Sequence, residues 1–453
     1  MKIAVLLKYF RGELGPFDAA ALECALECGG EITVVTMAPP SAAPALEGLT
    51  RLGAKALLIT DPLYAGSDTV ATSYVLAEAL KRLSPDAIFA GRQSVDGDTS
   101  QVPPMIAKRL GFDITTCVME FSKDAVTTRS GESAALQKNT VYTFERIRAL
   151  RFPSIFSKKG AVETWSNARL ALDPEKCGSK GSPTKVVRSY ESTVGRRECQ
   201  FTDAAALAGL IREGLSEGSK QSIAETEYKA DRIFYVGDIA EIAAAYAKEA
   251  VEYKAEGKSA EDAARELAET GASIVLFEAT ERYKRLAAEI AVLTDTGLCA
   301  DCIDFRCEGD RFIMTRPAFG GNVTADIVCT SKMAFATVKS KKNANEALIF
   351  AVGKGALPHI EKIRALAEKY GASLASSRPL VDDDILPYRF QVGLTGKTVA
   401  PRVYVAFGIS GAVQHTCAIA GAGRIIAINT DKNARIFDYS DYGILCDIQS
   451  IEL

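Results

Sequence analysis

Along the first 90 residues, short continuous apolar runs alternate with stretches of helical spacing. IAVLL, EITVVTM, KALLIT and DAIFAG read as strands, and helices are predicted between them over 17–27, 43–52 and 69–83. Because the runs are continuous rather than alternating, each strand is expected to be buried on both faces, as in a parallel sheet covered by helices. The same alternation restarts at DRIFYVG, with helices predicted over 239–254 and 282–293 around SIVLFEA, and then a strand-like stretch, MTRPAFGGNVTADIVC. It restarts again at EALIFAVGKG, with a helix over 358–369, followed by RVYVAFGI, RIIAIN and GILCDI. The fold class is therefore α/β, with three parallel-sheet, nucleotide-binding-like modules, the last of them Rossmann-like. In such sheets ligands sit at the carboxyl ends of the strands, where the strand order reverses.

Between the first and second series the pattern fails. Residues 151–197 are rich in Lys, Gly, Ser and Pro with little periodicity, and read as an extended arm. A helix is predicted over 203–215, and 216–230 is polar enough for a second linker. The resulting boundaries are a domain over 1–185, an arm and linker over 186–230, a domain over 231–342 and a domain over 343–453.

Composition narrows the class. At 453 residues the chain exceeds one core, and its 47% apolar and 25% charged residues are those of an ordinary globular protein. A net charge of −3 with no concentrated basic face argues against a nucleic-acid partner. The opening MKIAVLLKYF is too short an apolar run for a signal core or a membrane span, so no membrane insertion is expected. Eleven cysteines without framework spacing fit a reducing cytoplasm. Cys299 and Cys302 form the only CxxC, and with two histidines in the chain no metal site is expected; these cysteines read as core residues.

The richest candidate chemistry lies in 377–415. Gly408-Ile-Ser410-Gly411-Ala412 joins a strand to a helix, so backbone N–H groups there can hold a pyrophosphate. Arg378, after Ser377, can lie over an aromatic ring or stabilise negative charge on it; a solvated surface arginine is the plain alternative. His415 can donate to a ligand carbonyl or serve a structural hydrogen bond. Thr395-Gly-Lys397-Thr398 lacks the spacing of a phosphate loop, which removes an ATPase reading. Asn429 and Asp447, near strand ends, suit sugar hydroxyls, adenine edges or turns. In the first module, 91–104 carries Asp, Thr and Ser placed to cap a helix over 105–110, with phosphate binding and a plain cap both open. No nucleophile–base series and no paired-carboxylate site is evident, so redox chemistry would come from a bound cofactor.

These motifs resemble the electron transfer flavoproteins, as a fusion of beta subunit first and alpha subunit second. The alpha-like signature is SR, QVGLTGKTVAP, GISGAVQH, AINTD and DYGILCD, with TRPAFGGN and GLCADC before it; YAGSDTVATSYVLAEAL, AGRQSVDGDTSQVPP, FPSIFSKKGA and GSPTK are beta-like. The resemblance implies FAD in the carboxyl-terminal domain. Arg378 would sit by the isoalloxazine, Thr395 would donate to N5 and His415 would approach the N1/O2 side. Ser377, Val392, Gly393, Ser410, Gly411, Ala412, Val413 and Gln414 would line flavin and pyrophosphate, and Asn429 and Asp447 would lie on the adenosine side. It also implies a second adenine nucleotide, FAD or AMP, at Leu6, Gly15, Pro16, Phe17 and Met37, with Asp96, Gly97, Asp98, Thr99, Ser100, Gln101, Val102 and Pro103 around its phosphates.

With FAD in the second site, NADH electrons would be bifurcated toward a high-potential acceptor and a ferredoxin or flavodoxin. With AMP, the protein would be a single-electron carrier for an acyl-CoA dehydrogenase or similar flavin dehydrogenase. The rival from another class is a non-redox adenine-nucleotide-binding module. Family recognition of the dehydrogenase corresponds roughly to the stretch between FPSIFSKKGA and GSPTK. Four departures stand out: Leu394 where the family has glutamine, Lys354 where it has arginine, a short loop between Lys8 and Pro16, and Pro103 where a glycine is usual.

Overall fold

The computed structural model describes residues 1–453 except 11, 192–194, 217–228, 310, 322, 340–346, 384, 394–395 and 452–453. The chain divides into two compact units. The first comprises Met1–Arg188, Tyr228–Phe319 and Ala325–Val338; the second comprises Ser189–Glu227, Gly320–Thr324 and Lys339–Leu453.

In the first unit the opening series forms a nine-stranded sheet. Its order is Val162–Trp165, Lys55–Ile59, Glu31–Met37, Lys2–Leu6, Ala87–Gly91, Thr140–Phe144, Asp113–Phe121, Ala125–Thr128 and Ser133–Ala135. The first seven pair in parallel and the last two add an antiparallel meander. Ile3 and Val5 enter one core while Ala4 and Leu6 enter another, so both faces are buried, as the continuous apolar runs require. The chain moves outward on one side from Lys2–Leu6 and on the other from Ala87–Gly91, so the order reverses between these two strands.

The second series forms a five-stranded parallel sheet, ordered Ala247–Glu252, Ala230–Val236, Ile274–Glu278, Ala334–Val338 and Gly297–Cys302. The helix expected over 239–254 ends at Tyr246, and Ala247–Glu252 is a strand. Its local composition is helical, but it completes the sheet edge with cross-strand ion pairs, Arg232 to Glu249 and Lys248 to Asp231, both at 2.7 Å. An additional helix, Ala260–Glu269, starts at Ser259, whose hydroxyl accepts the Asp262 N–H at 3.1 Å. That S-x-x-D cap was a legible signal.

The arm over 151–197 is also partly built in. Val162–Trp165 extends the nine-stranded sheet, and Thr184–Glu191 is the outer strand of a four-stranded sheet with Val323–Cys329, Arg311–Ala318 and Asp304–Glu308.

The second unit holds a six-stranded parallel sheet, ordered Gln200–Thr202, Tyr442–Leu445, Arg424–Asn429, Val403–Phe407, Leu348–Val352 and Ser373–Ser376. Part of the stretch expected as a linker belongs to it. Helix Leu207–Ser216 buries Leu207, Leu210 and Ile211 in this core, and Arg197 pairs with Asp441. Most of the expected second linker, 216–230, lies outside the described residues. Strand order reverses between Leu348–Val352 and Val403–Phe407. Among the described residues no helix is long and apolar enough to cross a membrane.

Candidate functional site

In the second unit the reversal point is built from glycines. Gly353 and Gly408 end the two central strands so closely that a Cβ on Gly353 would lie 2.2 Å from the Gly408 carbonyl oxygen. Gly408 has φ +60 and Gly411 φ +84, a region that costs any L side chain energy. A Cβ on Gly411 would also lie 2.0 Å from the Ile436 nitrogen, whose N–H donates to the Ser410 carbonyl at 3.2 Å. Asn429 braces the same turn by donating from Nδ2 to the Ile409 carbonyl at 3.0 Å. The turn therefore has a fixed shape, and among the described residues the N–H groups of Ser410, Gly411 and Ala412 have no intramolecular acceptor. Ser410 and Ala412 are exposed. Unpaired donors on a glycine-shaped turn at a reversal point make an anion cradle, and a pyrophosphate fits it.

The other expected residues of this site surround the cradle. Ser377 donates its N–H to the Val352 carbonyl at 2.9 Å, which places the Ser377–Arg378 pair beside Gly353. The hydroxyl of Ser376 is fully buried and has no partner among the described residues, a donor left over for a ligand or for a side chain outside them. Arg378 pairs with Asp382 at 3.1 Å and Lys354 with Asp383 at 3.3 Å. Asp382 and Asp383 thus supply counter-charge to both cations expected near the ligand. Val392 donates its N–H to the Ser376 carbonyl at 2.9 Å, and the Gly393 N–H reaches Lys397 at 3.1 Å. Leu394 and Thr395 lie outside the described residues. Val413 and Gln414 open the single-turn helix Val413–Thr416. Asp447 caps the turn Ile448–Ser450 through the Gln449 N–H at 2.8 Å and lies 3.5 Å from His359.

His415 faces inward. Its Nδ1 lies 3.1 Å from the Val392 carbonyl, an oxygen that can only accept, so Nδ1 carries the proton. Nε2 then accepts the Tyr404 hydroxyl at 2.9 Å. Both ring nitrogens are engaged within the protein, and burial lowers the imidazole pKa to about 4, against the opposing pull of the Val392 carbonyl. In this geometry His415 holds the Val392–Gly393 loop to the central strand. Sequence reading did not find Tyr404, because nothing local marks a core tyrosine as its partner.

In the first unit the expected residues gather at the reversal point of the nine-stranded sheet. Leu6 and Met37 end adjacent strands, and Gly15 and Pro16 start helix Pro16–Cys28. Phe17 is buried, with the Arg92 and Arg146 guanidinium carbons 5.2 and 5.7 Å from its ring centroid. In the loop before helix Val102–Leu110, Asp98 and Ser100 have positive φ, at 50° and 57°. Asp98 accepts from Gln93 at 2.8 Å and Asp96 pairs with Lys8 at 2.7 Å. Gln101 is buried, accepting from Thr69 at 2.9 Å and donating to the Leu298 carbonyl at 3.2 Å. Gly97 and Thr99 lie between these fixed points; Val102 and the buried Pro103 start the helix. Two residues beyond the expected set join them: Phe319 donates its N–H to the Asp96 carbonyl at 3.1 Å and packs its ring 5.5 Å from Phe10. Three positions earlier, Arg316 is buried with its Nε unbonded among the described residues.

Asp18 was also missed. Its buried carboxylate accepts the Lys8 N–H at 3.1 Å, and Gly91 is glycine because a Cβ there would lie 2.4 Å from the carboxylate. Burial raises its pKa to about 7 despite the Lys8 and Gly91 N–H donors and the Lys8 charge. Since the native pKa lies above the unfolded value of 3.8, its contribution to stability is full below that value and lost as pH rises through about 7. Asp18→Asn is expected to raise the stability of the first unit at pH 8 by about 1–2 kcal/mol and to flatten the decline between pH 4 and 7. Urea unfolding followed on Trp165, the single tryptophan, reads this unit.

Comparison with known proteins places this geometry in context. The family described as "Electron transfer flavoprotein domain" matches residues 5–148 and 230–367, and "Electron transfer flavoprotein FAD-binding domain" matches 344–420. The chain is 35% identical to Protein FixA of Azorhizobium caulinodans over 229 residues, covering 44% of this chain and 82% of that protein. It is 37% identical to the electron transfer flavoprotein subunit beta of Clostridium acetobutylicum over 198 residues, 40% of this chain and 76% of that protein. It is 31% identical to the electron transfer flavoprotein subunit alpha of Bacillus subtilis over 216 residues, 38% of this chain and 66% of that protein.

Proposed function

Because the chain belongs to the electron transfer flavoprotein family, with beta-like and alpha-like parts in one polypeptide, we propose that it passes electrons between a flavin dehydrogenase and an acceptor. We assign its FAD to the cradle of the second unit. When bound, FAD supplies the redox chemistry that no side chain here provides. The observation that carries this reading is the set of free N–H groups at Ser410, Gly411 and Ala412 beside Ser377 and Arg378. The chain's own residues would do the rest: the turn holds the pyrophosphate, Arg378 sets positive charge beside the ring, and Asp382 moderates that charge. Tyr404 and His415 keep the Val392–Gly393 loop in place.

For the amino-terminal site we favour FAD over AMP, which would make the protein a bifurcating carrier that oxidises NADH and reduces a ferredoxin or flavodoxin as its low-potential acceptor. Supporting this reading are the loop from Asp96 to Pro103, shaped by left-handed Asp98 and Ser100, and the buried Arg316 close in sequence to Phe319, which touches it. Nucleotide analysis of the purified, denatured protein tests it. Two FAD per chain is expected; one FAD with one AMP would leave a single-electron carrier. A protein that purifies without flavin, binding adenine nucleotides unchanged after Arg378→Ala, would instead be a non-redox nucleotide-binding module.

The dehydrogenase, such as an acyl-CoA dehydrogenase, needs a docking surface, and the FPSIFSKKGA loop offers one. Phe152, Ile155 and Phe156 are 95%, 85% and 87% exposed, next to Lys158 and Lys159. Arg51 braces the loop by donating to the Ser154 and Ser157 carbonyls at 3.0 and 3.3 Å. A braced loop that holds three large apolar side chains in water is suited to be covered by a partner.

A further inference from the structure

We propose that a hollow on the first unit, away from its nucleotide edge, binds a small phosphate monoester through Arg109, Lys176 and Tyr74. The hollow has a volume of about 290 Å³ and lies among helices Thr69–Leu83 and Val102–Leu110, the turn after Pro174–Lys176, and residues Asp295, Thr330 and Ser331. Arg109 is in the last turn of the helix whose first turn carries Val102 and Pro103, so helix geometry separates the two places by about 10 Å.

Three donors are left over here. Arg109 spends Nε on the Ser73 hydroxyl at 3.0 Å and Nη2 on the Val70 carbonyl at 3.3 Å. Among the described residues its Nη1 has no acceptor and the guanidinium no ion-pair partner. Burial depresses its pKa, against the opposing pull of Asp295, Tyr74, Glu78 and Asp68, none of which is in ion-pair contact with it among the described residues. Lys176 likewise has no carboxylate within ion-pair distance among the described residues. Both cations sit against one ring, the Arg109 carbon 5.6 Å and the Lys176 nitrogen 6.0 Å from the Tyr74 centroid, and the Tyr74 hydroxyl has no partner among the described residues.

The neighbouring hydroxyls are already used. Ser182 donates to Gly178, Thr330 to Pro183 and Ser331 to Met333, and Lys180 pairs with Glu175 at 3.1 Å. The loop is also fixed in shape: Thr184 is tied to Asp68, and a Cβ on Gly181 would lie 2.1 Å from the Lys176 carbonyl carbon. Two cations and a hydroxyl donor beside one hollow match a dianion with several oxygens better than a single carboxylate. Asp295, which also lines the hollow, disfavours further negative charge and can accept from a hydroxyl, so a phosphate ester carrying hydroxyl groups fits best.

Calorimetric titration of the nucleotide-loaded protein with glycerol 3-phosphate and with inorganic phosphate, at low salt, tests the site. Glycerol 3-phosphate is expected to bind with a Kd below about 1 mM and more tightly than inorganic phosphate. Lys176→Gln, at an exposed position, is expected to weaken it at least tenfold, and Tyr74→Phe several-fold, with flavin absorbance and melting temperature unchanged. Absence of binding at about 10 mM, or affinity untouched by both substitutions, overturns the proposal. Neither outcome depends on which nucleotide fills the amino-terminal site.

Discussion

Gly411→Ala is expected to yield protein with little or no FAD in its second unit. The new methyl would have to occupy space 2.0 Å from the Ile436 nitrogen and 2.4 Å from the Arg435 carbonyl carbon, both backbone atoms that no rotamer change can move. It would do so at φ +84, where an L residue loses about 1–2 kcal/mol before any clash is counted. Relief requires the 408–412 turn to swing away from 435–436, which breaks the Ile436 to Ser410 hydrogen bond and re-aims the free N–H groups. A loss of at least 100-fold in FAD affinity follows if those donors carry the pyrophosphate. Flavin absorbance per chain measures it. A loss of one FAD per chain is expected, and retention of every flavin that the wild type carries would remove the assignment of this turn, while hydrogen exchange of peptides from 403–429 checks that the second unit still folds.

The second large effect concerns His415. Replacing it by Phe strands the buried Tyr404 hydroxyl and the Val392 carbonyl, an expected cost of about 2–4 kcal/mol to the second unit. The pH dependence separates this from simple mispacking. The imidazole is held near pKa 4 in the fold against 6.5 when unfolded, so folding excludes a proton. Its contribution is therefore full above pH 6.5 and is lost as pH falls through about 4, up to roughly 3 kcal/mol. The stability difference between wild type and His415→Phe should shrink on acidification over that window. Asp18 titrates with the opposite sign, but in the first unit. Hydrogen exchange of peptides from 403–429, which lie in the second unit, keeps the two apart. A difference constant between pH 7 and pH 4.5 would mean that His415 is not buried as a neutral ring.

Both experiments rest on residues whose visibility in the sequence differed. Gly411 announced itself, since a strand followed by Gly-Ile-Ser-Gly-Ala implies a turn that only glycine can make. His415 was visible as a candidate but not in its orientation, because its bonds run to Val392 and Tyr404, at separations of 23 and 11 residues. Asp18 looked like an ordinary first-turn acid on a helix and is instead clamped between two strand ends. The strand Ala247–Glu252 shows the same limit for secondary structure: its residues prefer a helix, and the sheet edge with its cross-strand charges decides otherwise.

What the sequence by itself determined was the repeated parallel α/β architecture and the glycine turn of the flavin cradle. Continuous apolar runs force burial on both faces, and positive φ forces glycine, and each of these is a property of a few neighbouring residues. Tertiary structure alone decided which polar groups ended with partners. It turned His415 inward, gave Arg378 its Asp382 counter-charge, and desolvated Asp18 and Arg109. The physical reason is that hydrogen-bond satisfaction and desolvation depend on groups brought together from distant parts of the chain, and no local pattern encodes them.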